Sequence, residues 1–238
     1  MNEKKICYIL ICAIMSFCFV ILMISSAANI KLNTISSSIS KEIPYVVIDA
    51  GHGGEDGGAI INDKISEKNI NLDIANKTAD LTTFLGFKTT KTRSTDTALS
   101  SQESTIRQRK VSDMKKRLEI YNSDSKNIVI SIHQNKFSQE KYKGTQIFYS
   151  KNNAQSQYLA EKIKFSVKGL LQPDNTREIK QAGNDIYLLK NTTQPAVIVE
   201  CGFISNKEEC QKLIDDVYQK QMAFAITCGL LNYCNTEN

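Results

Sequence analysis

Tryptophan is absent, histidine occurs only twice and proline only three times. Proline at that level excludes a PPII-rich or collagen-like chain, and 41% hydrophobic against 23% charged residues excludes a disordered one. Charge of one sign is also lacking. The formal net charge is only +5, spread along the chain, which does not indicate a nucleic-acid-binding protein. Any histidine chemistry must use His52 or His133. The length of 238 residues suits one domain with a small appendage.

The appendage is N-terminal. Lys4 and Lys5 precede an apolar run from Ile6 to Ile24 interrupted only by Ser16, followed by the small residues Ser25, Ser26, Ala27 and Ala28. This is an export segment over residues 1–28, read equally as a cleaved signal or as a membrane anchor. No cysteine in it follows the small residue a lipoprotein site requires. A polar linker over 29–42 then leads to a catalytic-size domain over 43–234, expected outside the cytoplasm.

Of seven cysteines, three fall in the export segment, leaving Cys201, Cys210, Cys228 and Cys234. Their spacing is not that of metal ligands. Buried free thiols are the simpler reading, with a bridge from Cys210 to Cys228 or Cys234 as the alternative.

From Tyr45 the pattern alternates between strand and helix. Tyr45 to Asp49 reads as a strand ending at glycines, and Ser66 to Leu85 as a helix with Ile70, Ile74, Thr78, Leu81 and Leu85 on one face. A helix over about 105–122 aligns Val111, Met114, Leu118 and Tyr121. Strands follow at 127–133 and 144–149, then a helix over about 154–171 with Leu159, Ile163, Val167 and Leu170 inward. Short strands are expected near Glu178 and Tyr187 and a longer one over 195–201. Two closing helices start at a Ser205-x-x-Glu208 capping box and near Asp216. This order predicts an α/β three-layer sandwich, with a mostly parallel twisted sheet and helices on both faces.

Chemistry in such sheets gathers at the carboxyl ends of strands. His52 follows the first strand within a glycine-rich loop, His133 ends the 127–133 strand, Glu200 ends the 195–201 strand, and Glu67 sits in the first turn of a helix. Two imidazoles and a carboxylate form the ligand set of an open zinc site, with a further carboxylate, Glu200, as proton acceptor. Taken singly, each histidine also reads as polar surface and Glu67 as a capping charge.

The segments Asp49-Ala-Gly-His-Gly-Gly-Glu-Asp-Gly-Gly-Ala59, Ser66-Glu67, Ser131-Ile-His-Gln-Asn135 and Pro195-Ala-Val-Ile-Val-Glu-Cys-Gly-Phe-Ile-Ser-Asn206 resemble the zinc-dependent N-acetylmuramoyl-L-alanine amidases of the amidase-3 family. The resemblance runs from about Tyr45 to Leu231, with Ala50 and Gln134 as departures. It implies a fold like the zinc carboxypeptidases, Zn2+ on His52, Glu67 and His133, and Glu200 as the catalytic carboxylate. Ser112-Asp113-Met114 with Arg117, and Tyr142-x-Gly144-Thr-Gln-Ile-Phe-Tyr149, resemble the germination-specific subgroup of spore-forming bacteria. That subgroup implies peptidoglycan of the spore cortex as substrate, an accessory or activator protein, and a separate deacetylase acting afterwards towards muramic δ-lactam. The other readings are a vegetative autolysin, a zinc carboxypeptidase and a non-catalytic peptidoglycan-binding protein. Asn135, Asp49 and Glu55 are candidates for orienting ligands or water. Arg93, Arg107 and Arg109 are candidates for meeting substrate carboxylates, with solvated surface charge expected for at least two of them.

Overall fold

A computed structural model describes residues 44–100 and 103–236. The expected export segment and linker lie outside the described residues. Six strands form one sheet: β1 (Tyr45–Ala50), β4 (Lys88–Lys91), β5 (Asn127–Asn135), β6 (Gln146–Tyr149), β7 (Lys180–Gln181) and β8 (Ala196–Phe203), in the order β4-β1-β5-β8-β6-β7. The strands β4, β1, β5 and β8 are mutually parallel, and β6 runs antiparallel to β8. A small ribbon, β2 (Ile60–Ile61) with β3 (Ile65–Ser66), precedes the first helix. Among the described residues there are also six helices: α1 (Glu67–Phe84), α2 (Ile106–Tyr121), α3 (Gln155–Leu170), α4 (Tyr187–Asn191), α5 (Lys207–Leu213) and α6 (Asp216–Thr236).

The period-2 alternation of strand side chains decides what each face does. On one face Val46, Ile48, Ile130, Ile132, Val197 and Val199 meet α1, α3 and α6 through Ile70, Ile74, Leu159, Ile163, Met222 and Ile226. On the other, Val47, Val129, Ala196 and Ile198 meet α2 and α4 through Tyr121, Leu188 and Leu189. Asp49, Ser131, His133 and Glu200 continue that second set of alternate positions, so these four polar groups share one face of the sheet.

The central helices and strands lie where the sequence predicts them, whereas the edge strand β4 and the β2–β3 ribbon are not predicted, and the other differences are local. Tyr187 begins a helix instead of a strand, because Leu188 and Leu189 both turn into the thin core on that face. Leu85 and Leu170, expected inside, are 44% and 57% exposed, each at the C-terminal end of its helix. Val111 is 49% exposed and lines a cleft, leaving Met114 and Leu118 to pack. The helix expected to begin with Ser205 is capped by Asn206, whose side chain accepts from the Glu209 amide, while Ser205 Oγ accepts from the Phe137 amide. Thr105 forms the reciprocal capping box with Gln108 that starts α2. Cys201, Cys210, Cys228 and Cys234 form no disulfide, so the alternative bridge does not form. Among the described residues no helix is long and apolar enough to cross a membrane.

The core beneath the strand ends is braced by Asp49. It is fully buried, pairs with Arg117, and accepts hydrogen bonds from Ser131, Tyr121 and Thr92. Burial alone would raise its pKa, but Arg117 and these three hydroxyls hold the carboxyl well below the ordinary carboxylate range. Asp49→Asn leaves the buried Arg117 with Asp113 as its remaining counter-charge and should destabilise the metal-free protein by up to roughly 3–5 kcal/mol at neutral pH. Because the folded pKa is depressed, this stabilisation is fully present above the unfolded value of 3.8 and is lost as pH falls below it towards the folded value. Urea unfolding of both proteins in EDTA should therefore show the difference narrowing between pH 5 and pH 2.5; a constant difference would assign the loss to packing.

Candidate metal centre and active site

The first strand ends in a turn that no ordinary helix or strand residue could make. His52 has φ of 61°, in the left-handed region, followed by Gly53 at 135° and Gly54 at 57°. For a histidine this backbone is strained by about 1–3 kcal/mol, and the surrounding structure must hold it. The turn brings the ring back towards α1 and β5. Glu67 is the first residue of α1, its backbone amide bonded to Ala59 O at 2.8 Å. His133 lies near the end of β5, and Glu200 is its direct register partner on β8.

These elements converge on one small volume. His52 Nε2 lies 3.2 Å from Glu67 Oε1 and His133 Nδ1 lies 2.9 Å from the same oxygen. The two imidazole centroids are 4.9 Å apart with their planes at 73°. One ligand atom from each of His52, Glu67 and His133 falls within 4.8 Å of the others, a group that could hold a metal ion. His52 and Glu67 are fixed from behind. Asp56 Oδ2 lies 2.8 Å from His52 Nδ1; its carboxyl is held well below the ordinary range, chiefly by that bond, so it accepts the Nδ1 proton and leaves Nε2 facing inward. Glu67 Oε1 accepts from the Gln134 amide at 3.1 Å and from Asn71 Nδ2 at 3.3 Å, and Oε2 from the Ala59 amide at 2.9 Å.

Electrostatics match a site built for a cation. Burial would raise the Glu67 carboxyl, yet its bonds to His133 and His52 hold it far below the usual range. Burial works against charge on His52 too, but Asp56 and Glu67 push the imidazole up to about 9. Glu200 differs from both. Burial pushes its carboxyl up to about 7, against the pull of His133, and its Oε2 is a buried oxygen with no hydrogen-bond partner. A carboxylate left unpaired beside three converging donors is what a proton acceptor for a water in that space requires.

Two glycines make the approach possible. A Cβ on Gly51 would lie 2.1 Å from His133 Nε2, and one on Gly58, whose φ is 63°, would lie 2.6 Å from Glu67 Oε2. Gly51→Ala should thus displace the His133 ring, with an overpacking penalty of about 1–3 kcal/mol. We expect a folded protein with loss of stoichiometric metal by atomic absorption; retention of a full equivalent would show that the ring has room to move.

A cleft of about 800 Å³ opens from His52 and His133 along the face between α2 and α4, bordered by Ile106, Val111, Met114 and Tyr187. Its size suits an extended ligand lying beside the metal group.

A profile of the N-acetylmuramoyl-L-alanine amidase family, Amidase_3, matches residues 46–232. The chain belongs to that family. This amidase therefore acts on peptidoglycan, at the bond between the N-acetylmuramoyl group and L-alanine. It is 34% identical over 199 residues to the germination-specific N-acetylmuramoyl-L-alanine amidase of Bacillus subtilis, covering 83% of this chain and 82% of the relative. Among solved structures it is similar to the CwlD amidase of Clostridioides difficile, determined in complex with the GerS lipoprotein. That similarity has a TM-score of 0.78 and 40% identity, and covers 82% of this chain and all of the other. The catalytic domain of the CwlV amidase from Bacillus (Paenibacillus) polymyxa matches with a TM-score of 0.67 and 29% identity, over 82% of this chain and all of that one.

Within this amidase the four residues singled out from sequence come together. The supporting groups do so less uniformly. Glu55 forms an ion pair with Arg109 at 2.7 Å and Asp49 sits one layer below, neither touching the three donors. Arg107 is exposed at the cleft rim. Arg93, expected at the surface or facing substrate, is buried and bonds only backbone carbonyls. Asp56 and Asn71 were not among the sequence candidates. Asp56 carries a local signal, lying four residues after His52 across a glycine pair, whereas Asn71 is marked only by being one helical turn beyond Glu67.

Proposed function

We propose that this is a zinc-dependent amidase, exported across the membrane, that removes stem peptides from spore-cortex peptidoglycan as a step towards the muramic δ-lactam needed for germination. In this reading residues 1–28 are the export signal or anchor, 29–42 the linker and 43–234 the catalytic domain. His52 through Nε2, Glu67 through Oε1 and His133 through Nδ1 are the zinc ligands, a donor set suited to zinc with an open position. Bound there, zinc supplies Lewis acidity, lowering the pKa of water and polarising the scissile carbonyl.

The chain's own residues do the rest. Glu200 accepts a proton from the water that attacks the lactyl carbonyl carbon. As the carbon–nitrogen bond breaks, the same carboxyl delivers that proton to the leaving nitrogen, leaving a lactyl carboxylate on the glycan and a free L-alanyl amine on the peptide. Asp56 keeps His52 in the tautomer that presents Nε2, and the Gln134 amide with Asn71 keeps Oε1 of Glu67 aimed inward. The observation that carries the reading is the unpartnered, buried Oε2 of Glu200 on the strand position beside His133.

The cortex assignment is supported by similarity to the germination-specific amidase of B. subtilis and to CwlD, whose structure with a lipoprotein also supports an accessory protein for this chain. A separate deacetylase would act on the product. The test is mass spectrometry of cortex fragments incubated with purified protein, with and without added zinc. Zinc-dependent release of intact stem peptides is expected. Release of single C-terminal amino acids would make the protein a carboxypeptidase, and no release at all would leave a binding protein.

A further inference from the structure

We infer that Arg93 and Arg117 form a double guanidinium clamp that fixes the His52 turn in its metal-receiving shape, and that both are positioning residues for the zinc ligands. The inference rests on His52 and Glu67 being ligands. Three consecutive carbonyls of the strained turn are held. Ala50 O accepts from Arg93 Nε at 3.0 Å and from Arg117 Nη1 at 2.8 Å. Gly51 O accepts from Arg93 Nη2 at 3.0 Å and from Asn71 Nδ2 at 3.1 Å. His52 O accepts from Arg117 Nη2 at 2.7 Å. Carbonyls in a left-handed turn cannot find partners in a regular ladder, so without these donors three acceptors would be left unsatisfied or open to water.

Arg93 does more than hold one turn. Its Nη2 also donates to Lys68 O at 2.7 Å, and Lys68 directly follows Glu67. One guanidinium therefore fastens the backbone that carries His52 to the first turn of the helix that carries Glu67. The separation of two ligands, which come from different elements, is set by a planar group with donors at fixed angles. Lysine has the charge but not the fork.

Ion pairing does not explain Arg93. Arg93 is 4% exposed, and all four of its hydrogen bonds go to carbonyls, the last to Thr95. A buried cation without a carboxylate in contact is unfavourable, and a positive charge near a metal centre opposes the metal. Arg117, 2% exposed, is compensated by Asp49 and Asp113. What both gain is geometry at the turn.

The test compares Arg93→Lys and Arg117→Lys with wild type by three measurements: zinc affinity of the folded protein by chelator competition, kcat at saturating zinc, and thermal unfolding in EDTA. We expect the zinc dissociation constant to rise roughly 10- to 100-fold in each variant, with most of kcat restored by excess zinc. A lowered unfolding temperature with wild-type zinc affinity in both variants would overturn the inference, because a purely structural role moves only the former. If Arg117→Lys fails to fold because Asp49 loses its partner, Arg93→Lys, which leaves that pair intact, decides alone. His52→Ala is run beside them. Full zinc binding by His52→Ala would overturn the ligand assignment, whereas its loss together with unchanged arginine variants would overturn the clamp alone.

Discussion

Glu200→Gln is expected to keep its zinc and to lose turnover by roughly 10²- to 10⁴-fold, the range that a general acid-base group contributes. The two side chains are nearly isosteric, so the pairing of β8 with β5 and β6 is undisturbed, and the amide can occupy the same space. What disappears is the carboxylate beside His133 to which the proposed mechanism gives the proton of the attacking water. Oε2 has no partner in the folded protein, so the substitution breaks no existing hydrogen bond at that atom and stability should change little. The wild-type rate should fall on the acid side as Glu200 takes up a proton, and the residual rate of the Gln variant should lack that limb. Metal analysis with steady-state kinetics on cortex fragments checks all three points. Loss of zinc would make Glu200 a ligand, and near-normal turnover would transfer the proton-acceptor role to another carboxylate of the His52 loop. In spores, the same variant should form cortex that lacks muramic δ-lactam.

His52→Ala, Glu67→Ala and His133→Ala should each abolish zinc binding and activity together. Three protein ligands are the least that an open catalytic site uses, and removing one leaves two donors competing with water. The loss should exceed the ~100-fold in affinity that changes behind the ligands produce. Glu67→Ala should be the most severe. Its Oε1 is shared by both imidazoles and anchors the Gln134 amide, and without it His52 and His133 face each other with no charge between them. Atomic absorption and equilibrium dialysis against zinc measure the effect. Any of the three variants that holds a full equivalent of zinc removes its residue from the ligand set.

Much of this was written locally in the chain. Short apolar runs bounded by turn or polar residues set β1, β5 and β8, helical spacing set α1, α2 and α3, and glycines after Asp49 marked the turn that carries His52. Those signals are legible because a strand covered on both faces reads as a continuous apolar run and a helix covered on one side repeats every 3.6 residues. The same runs placed His133 and Glu200 at strand ends. The expectations that failed lie where tertiary packing overrides the pattern: Leu85 and Leu170 lie at the C-terminal ends of their helices, Val111 borders the cleft, and Tyr187 begins a helix on a thinly covered face.

What the sequence determined by itself is the order of the main elements, without β4 and the β2–β3 ribbon, and the four candidate residues of the site, because each is marked by its own neighbours along the chain. What only the tertiary structure decided is how those residues are held. Arg93, read from sequence as a candidate for substrate carboxylates or as surface charge, and Arg117, noted only within the subgroup resemblance, lie 41 and 65 positions beyond His52, and nothing nearby in sequence calls for a buried guanidinium. Their partners are backbone carbonyls, which carry no residue-type signal at all. Only after β4 and β5 pair with β1, and α2 docks on the face they share, do those carbonyls and the two guanidinium groups come within hydrogen-bonding distance.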